Sequence, residues 1–230
     1  MKPVDITKRN FMFPITLAAF PDYLPTNIGL ILGEKRNYLI DTALGKNSVV
    51  PVINFIGKTE KPLVVINTHA HIDHVWGNHV FKDNLIISHS ICRNELDKTW
   101  DKDFREKKHF ADGEVSKCLP NVTFEDSLHF ADDGIFLFHS PGHTAGCISV
   151  YDEIEKVMYV GDAIGDEGED DTDIIPVIKT TPDIMQKTID KWKEFDFDLC
   201  VIGHNKPHKK SVLTAMEAVL LKAWEEQQKE

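Results

Sequence analysis

Thr68-His69-Ala70-His71-Ile72-Asp73-His74 places three imidazoles and a carboxylate within six residues. Neutral imidazole nitrogens and carboxylate oxygens are donors that zinc, iron(II) and manganese accept. Side chains alternate sides along an extended backbone, so His69 and His71 share one side and can reach one cation. A turn after His71 would carry Asp73 and His74 toward a second cation a few ångströms away. This spacing predicts metal ligation in preference to a polar loop of half-buried histidines. Three more donors follow apolar runs. His143 sits in Ser140-Pro141-Gly142-His143-Thr144-Ala145-Gly146, Asp162 in Gly161-Asp162, and His204 in Gly203-His204. Pro-Gly makes a tight turn, and glycine permits close backbone approach. Each of these alone reads as a turn or cap residue; together they form a pattern.

The elements that must position these donors are legible as strands. Leu63-Val64-Val65-Ile66 is a continuous apolar run, as in a central strand covered on both faces. Phe136 to Phe138, Cys147 to Tyr151, Val157 to Val160 and Leu199 to Ile202 read as further strands. So do Phe11 to Phe20, Ile28 to Leu32 and Tyr38 to Ile40, the last closing on Asp41. Helices are predicted over Asn47 to Ile56, ended by Gly57 and with Pro51 near its first turn, and over Ser90 to Lys108, which shows no strong apolar stripe. Thr181-Pro182-Asp183 is a helix start with a hydroxyl cap. Val212, Leu213, Met216, Val219, Leu220, Ala223 and Trp224 recur at helical spacing in a final core-packing helix. Strands interleaved with helices, without a repeat or a low-complexity linker, predict one layered α/β domain over residues 1–230.

Composition limits the function classes. The chain has 230 residues, 42% hydrophobic and 27% charged. A chain of that size buries about 70–75% of its unfolded surface and needs no disulfide staple. With 26 Lys+Arg against 37 Asp+Glu the net charge is −11, which repels phosphate backbones and predicts no nucleic-acid partner. No apolar run approaches the roughly 20 residues of a membrane span. Lys8-Arg9 before Phe11 to Phe20 imitates an export signal. Pro14 interrupts that run and no small-residue cleavage site follows, so it is read as a first strand. Cys92, Cys118, Cys147 and Cys200 are scattered, which suits reduced thiols and a cytoplasmic location.

The order HxHxDH, SPGHTAG, GD, GH, from about Asp41 to His204, resembles the metallo-β-lactamase superfamily, with its glyoxalase II-like and lactonase-like metallo-hydrolases. The resemblance implies an αββα sandwich of two mixed sheets flanked by helices, with the site along one edge. It implies that His69, His71 and His143 hold one metal, that Asp73, His74 and His204 hold a second, and that Asp162 bridges them. Asp41 matches a position that supports a ligand imidazole. The implied cofactor is two divalent ions, zinc foremost, with iron or manganese as alternatives. The implied reaction is attack by a shared hydroxide on the carbonyl of a small-molecule ester, thioester or lactone, with Asp73 as acid/base. Departures narrow the substrate. Asp162 stands where secreted zinc β-lactamases most often carry cysteine, which argues against antibiotic hydrolysis. Ala163-Ile164-Gly165-Asp166 follows Asp162 in place of glyoxalase II's usual Gly-Cys-Gly-Arg-Phe stretch and without the lactonases' tyrosine, which argues against glutathione thioesters and the lactonase type. The alternatives are a mononuclear iron dioxygenase of the persulfide type and a non-catalytic metal-binding member. Three flanking segments are candidate walls of the site: the apolar loop Phe20 to Pro25, the acidic run Asp166 to Asp173, and the helix carrying Trp100 and Phe104.

Overall fold

The computed structural model describes residues 2–17, 24–166 and 174–227, with side chains through Lys222 except that of Asp166. Seven strands lie side by side in chain order: β1 (Val4–Asp5), β2 (Asn10–Ile15), β3 (Thr26–Leu32), β4 (Asn37–Ile40), β5 (Leu63–Ile66), β6 (Leu85–His89) and β7 (Val122–Phe124). The sheet is antiparallel from β1 to β4 and parallel from β4 to β7. The next strands are β8 (Ser127–Phe130), β9 (Ile135–His139), β10 (Ile148–Asp152), β11 (Val157–Tyr159), the small pair β12 (Ile164–Asp166) and β13 (Ile174–Pro176), then β14 (Leu199–Val201) and β15 (His208–Lys209). The second sheet runs β15-β14-β11-β10-β9-β8, with β11 and β14 its parallel pair. The helices are α1 (Lys46–Ile56), α2 (Ile72–Val75), α3 (Ser90–Lys107), α4 (Pro182–Lys193) and α5 (Val212–Gln227). Among the described residues none is long and apolar enough to cross a membrane.

Strand alternation builds four layers. Tyr38, Ile40, Val64 and Ile66 of the first sheet meet Leu137, Ile148, Val150 and Tyr159 of the second in the central core. Their neighbours Leu39 and Val65 point the other way, onto Val49 and Val52 of α1. On the far side, Phe138, Met158 and Cys200 pack on Met185, Ile189 and Trp192 of α4 and on Leu213 and Met216 of α5. Because side chains alternate at period two, each central strand buries both faces, and the result is the αββα sandwich.

Most predicted elements are found, with three corrections. The first strand closes at Ile15, short of Phe20, and residues 18–20 lie outside the described residues. Pro51 is the sixth residue of α1, inside it instead of near its first turn, at the cost of one helical hydrogen bond. The third helix does carry an apolar stripe: Cys92, Leu96 and Trp100, four residues apart, are its buried positions. The apolar-loop residues Phe20 to Tyr23, the acidic-run residues Glu167 to Asp173 and the side chains of Ala223 and Trp224 also lie outside the described residues.

Candidate metal centre

The donors gather where strands end together. β4 and β5 run parallel and deliver Asp41 and the His69–His74 segment at their C-terminal edge; β11 and β14 deliver Asp162 and His204. The connection from β9 to β10 supplies His143. Backbone bonds stitch the two sheets there, Asn27 N to Gly203 O at 2.7 Å and Ile148 N to Thr68 O at 3.0 Å. The predicted turn after His71 is the short helix α2, which begins at Ile72 and presents Asp73 and His74 from its first turn. A four-residue helix has no periodicity to read, so its existence is a tertiary fact.

His69, His71, His143 and Asp162 form one group of convergent donors, and Asp73, His74 and His204 a second, the donor atoms of each lying within 4.8 Å of one another. His71 Nδ1 lies 2.9 Å from His69 Nε2 and 3.0 Å from His143 Nε2. Asp162 faces both groups. Its Oδ1 is 3.1 Å from His74 Nε2, while Oδ2 stands 3.6 Å from His69 Nε2, 3.7 Å from His143 Nε2 and 3.4 Å from His204 Nε2. Asp73 Oδ2 is 3.5 Å from His204 Nε2.

Outer hydrogen bonds assign the tautomers. Asp41, 2% exposed, accepts the His74 Nδ1–H at 2.8 Å, the Thr68 backbone N–H at 2.8 Å and the Thr68 hydroxyl at 2.7 Å. With its proton on Asp41, the Thr68 oxygen is free to accept the His69 Nδ1–H at 3.0 Å. His143 Nδ1–H donates to Val177 O at 3.2 Å and His204 Nδ1–H to Pro25 O at 2.9 Å. Four Nε2 atoms are thereby left pointing inward, the usual arrangement of metal-held histidines. Close backbone packing makes this possible. A Cβ at Gly203 would lie 1.9 Å from Asp162 Oδ1, and Gly161, at a φ of +56°, would push one to 2.8 Å from Thr68 Oγ1.

The electrostatics fit a cation. Burial holds His69 and His143 below the ordinary imidazole range, and burial, His143 and Lys179 push His71 down to about 3, so the three rings of the first group are neutral at pH 7. Burial opposes charge on His74 too, yet Asp162, Asp41 and Asp73 outweigh it and hold that ring well above the usual value. Asp162 is itself buried but kept far below the carboxylate range by His74 and His69. Lone pairs of three neutral rings converging at about 3 Å repel unless a positive charge sits among them, and buried polar atoms are costly when unpaired. His74 Nε2 and Asp162 Oδ1 are buried facing each other at 3.1 Å without a well-aligned hydrogen bond. The seven residues therefore fit divalent cations.

Every sequence-predicted donor is brought into these two groups, and Asp41 is buried beneath them rather than solvated. Beyond His204, His208 is buried in β15 beside Val212 and Ala215, outside both groups, and Lys206 is exposed. The helix carrying Trp100 and Phe104 does line a groove beside His71, through Ile91, Glu95 and Lys98, while Trp100 itself packs tilted against Trp76 and stacks on Phe104 under the metal segment. Sequence reasoning missed Lys179, whose Nζ lies 2.9 Å from His71 Nε2; nothing in Val177-Ile178-Lys179-Thr180 marks it. It also passed over the Thr68 hydroxyl, which a threonine directly before His69 could have signalled.

The family model of the metallo-beta-lactamase superfamily matches residues 21–204. An acyl-coenzyme A thioesterase from Homo sapiens, MBLAC2, is 26% identical over 164 residues, 61% of this chain and 58% of that protein. An N-acyl homoserine lactonase from a Bacillus species is 27% identical over 141 residues, 59% of this chain and 52% of that one. The chain thus spans little more than half the length of the curated relatives it matches. A metallo-beta-lactamase from Pontibacter korlensis superposes with a TM-score of 0.70 at 19% identity, over 96% of this chain and 98% of that one. The DIM-1 metallo-beta-lactamase gives 0.72 at 14% identity, over 96% and 97%. At these identities the structures share the fold.

Proposed function

Because the chain belongs to the metallo-β-lactamase superfamily, we propose that it is a two-metal hydrolase of a small-molecule carbonyl substrate. The carrying observation is Asp162, whose two oxygens face the two donor groups, at 3.1 Å from His74 on one side and 3.6 Å from His69 on the other. His69, His71 and His143 would hold one ion, Asp73, His74 and His204 the other, with Asp162 shared. Zinc suits this nitrogen-and-carboxylate set, and iron and manganese accept the same donors. When bound, such ions supply Lewis acidity toward a carbonyl oxygen and lower the pKa of water to about 7.

The chain's own residues do the positioning. Asp41 and Thr68 lock His74 and His69 with Nε2 inward; Val177 O and Pro25 O do so for His143 and His204. Asp73, 8% exposed and aimed at the second group, takes the proton lost by water as it attacks and returns it to the leaving group. A thioesterase and a lactonase among the relatives support an acyl carbonyl, thioester or lactone, as the target. The test is metal content by elemental mass spectrometry on protein purified without chelator, with turnover of acyl thioesters and acyl lactones. About two zinc or manganese ions per chain with hydrolysis is the expected result. A single iron with oxygen consumption would overturn it in favour of the dioxygenase chemistry.

A further inference from the structure

A groove of about 590 Å³ adjoins the metal donors on the outer side of His71. One wall is α3, with Ile91, Glu95 and Lys98; the others are Ala145, from the His143 connection, and Lys179 with Thr180. The Lys179 segment is fixed to that connection. Lys179 N donates to His143 O at 3.1 Å, Thr180 N to Gly142 O at 3.2 Å, and the Thr180 hydroxyl to Gly142 O at 2.7 Å. Its backbone is therefore tied to the site, and the lysine side chain extends from it into the groove.

His71 turns Nδ1 toward His69 and His143 and Nε2 toward Lys179. A ring that gives Nδ1 to a cation keeps its hydrogen on Nε2, and an ammonium has no lone pair to accept it. Lys179 must then turn to another acceptor in the groove, either Glu95, with which it already interacts electrostatically, or an anionic ligand. Two lysines against one glutamate make this groove locally cationic on a chain whose net charge is −11. Such a local field concentrates anionic ligands.

Resting on the hydrolase reading above, we propose that Lys179, assisted by Lys98, recognises an anionic substituent, carboxylate or phosphate, on the part of the substrate lodged in this groove. Lys179 is a specificity residue: it binds the substrate beyond the scissile carbonyl and takes no part in bond breaking. The favoured substrates are acyl esters or thioesters whose leaving group carries negative charge.

The experiment compares octanoyl thioesters of N-acetylcysteamine (neutral), 3-mercaptopropionate (carboxylate) and coenzyme A (phosphates) on the metal-loaded protein, its Lys179→Met and Lys98→Met variants, and Lys179→Arg. The expected result is a fall of about ten-fold or more in the anionic-to-neutral ratio of kcat/KM in Lys179→Met, carried by KM, and recovery of the ratio in Lys179→Arg. Whichever charged ester shows the larger fall identifies the anion. An unchanged ratio would overturn the proposal, because a lysine that merely buttresses His71 affects all three esters alike. Calorimetric binding of the non-hydrolysable thioether analogues separates the two readings. Lysine-dependent preference for the charged analogues without any turnover would sustain this inference and defeat the hydrolase reading; turnover without that preference would do the reverse.

Discussion

The Asp41 carboxylate accepts the His74 Nδ1–H at 2.8 Å from a backbone held at a φ of 63°. That is left-handed backbone, which aspartate tolerates better than most residues. The bend lets a residue leaving β4 turn beneath the end of β5, where Asp41 N still donates to Ile66 O at 2.8 Å. One carboxylate thereby collects three donors and fixes one ring directly and another through Thr68.

Asp41→Asn keeps the shape but replaces one acceptor oxygen with a donor. It should weaken metal binding about 10–100-fold, and Asp41→Ala should do no better. Competition against a chromophoric chelator measures this. Unchanged affinity would show that the buried carboxylate does not orient the rings.

Gly203→Ala would set a methyl 1.9 Å from Asp162 Oδ1 and 2.9 Å from His74 Cε1. Neither neighbour can retreat without leaving the donor set. The variant should therefore hold about one ion per chain in place of about two, read by elemental analysis after gel filtration. Full loading in a folded variant would contradict the tight approach.

Asp73→Asn retains the side-chain volume and removes the base. Turnover should drop about 10²–10⁴-fold with at least one ion still bound. If hydrolysis persists while the metal content is unchanged, Asp73 is a ligand and nothing more.

Asp133, 0% exposed, ties the β3–β4 turn to the second sheet by accepting Lys35 N at 2.7 Å, Tyr38 OH at 2.8 Å and Arg36 Nη1 at 3.4 Å. Burial alone would raise its pKa, but those hydrogen bonds outweigh it and leave it below the ordinary value. A depressed folded-state pKa means stability present above the unfolded value of about 4 and lost as pH falls through the folded one. Asp133→Asn should cost about 1–3 kcal/mol at pH 7 and show a shallower loss of stability below about pH 4. Urea unfolding at pH 7 and in buffer below about pH 4 tests both; parallel losses in the two proteins would refute the linkage.

The donor residues were legible from spacing because alternation and turns act over a few residues. His69 and His71 share a side two residues apart, and the His143, Asp162 and His204 dipeptides or loops follow recognisable apolar strands. A layered α/β domain was legible too, since strands buried on both faces demand cover on both; its αββα order was what the family resemblance implied. By itself the sequence determined which atoms could bind metal and which strands would carry them. Only the tertiary structure decided which nitrogen of each ring faces inward, how far each oxygen of Asp162 stands from either group, and that Lys179 reaches His71 from 108 residues away. Those facts depend on where distant segments come to rest. That is set by the burial of every face of both sheets at once, a global condition that no local spacing encodes.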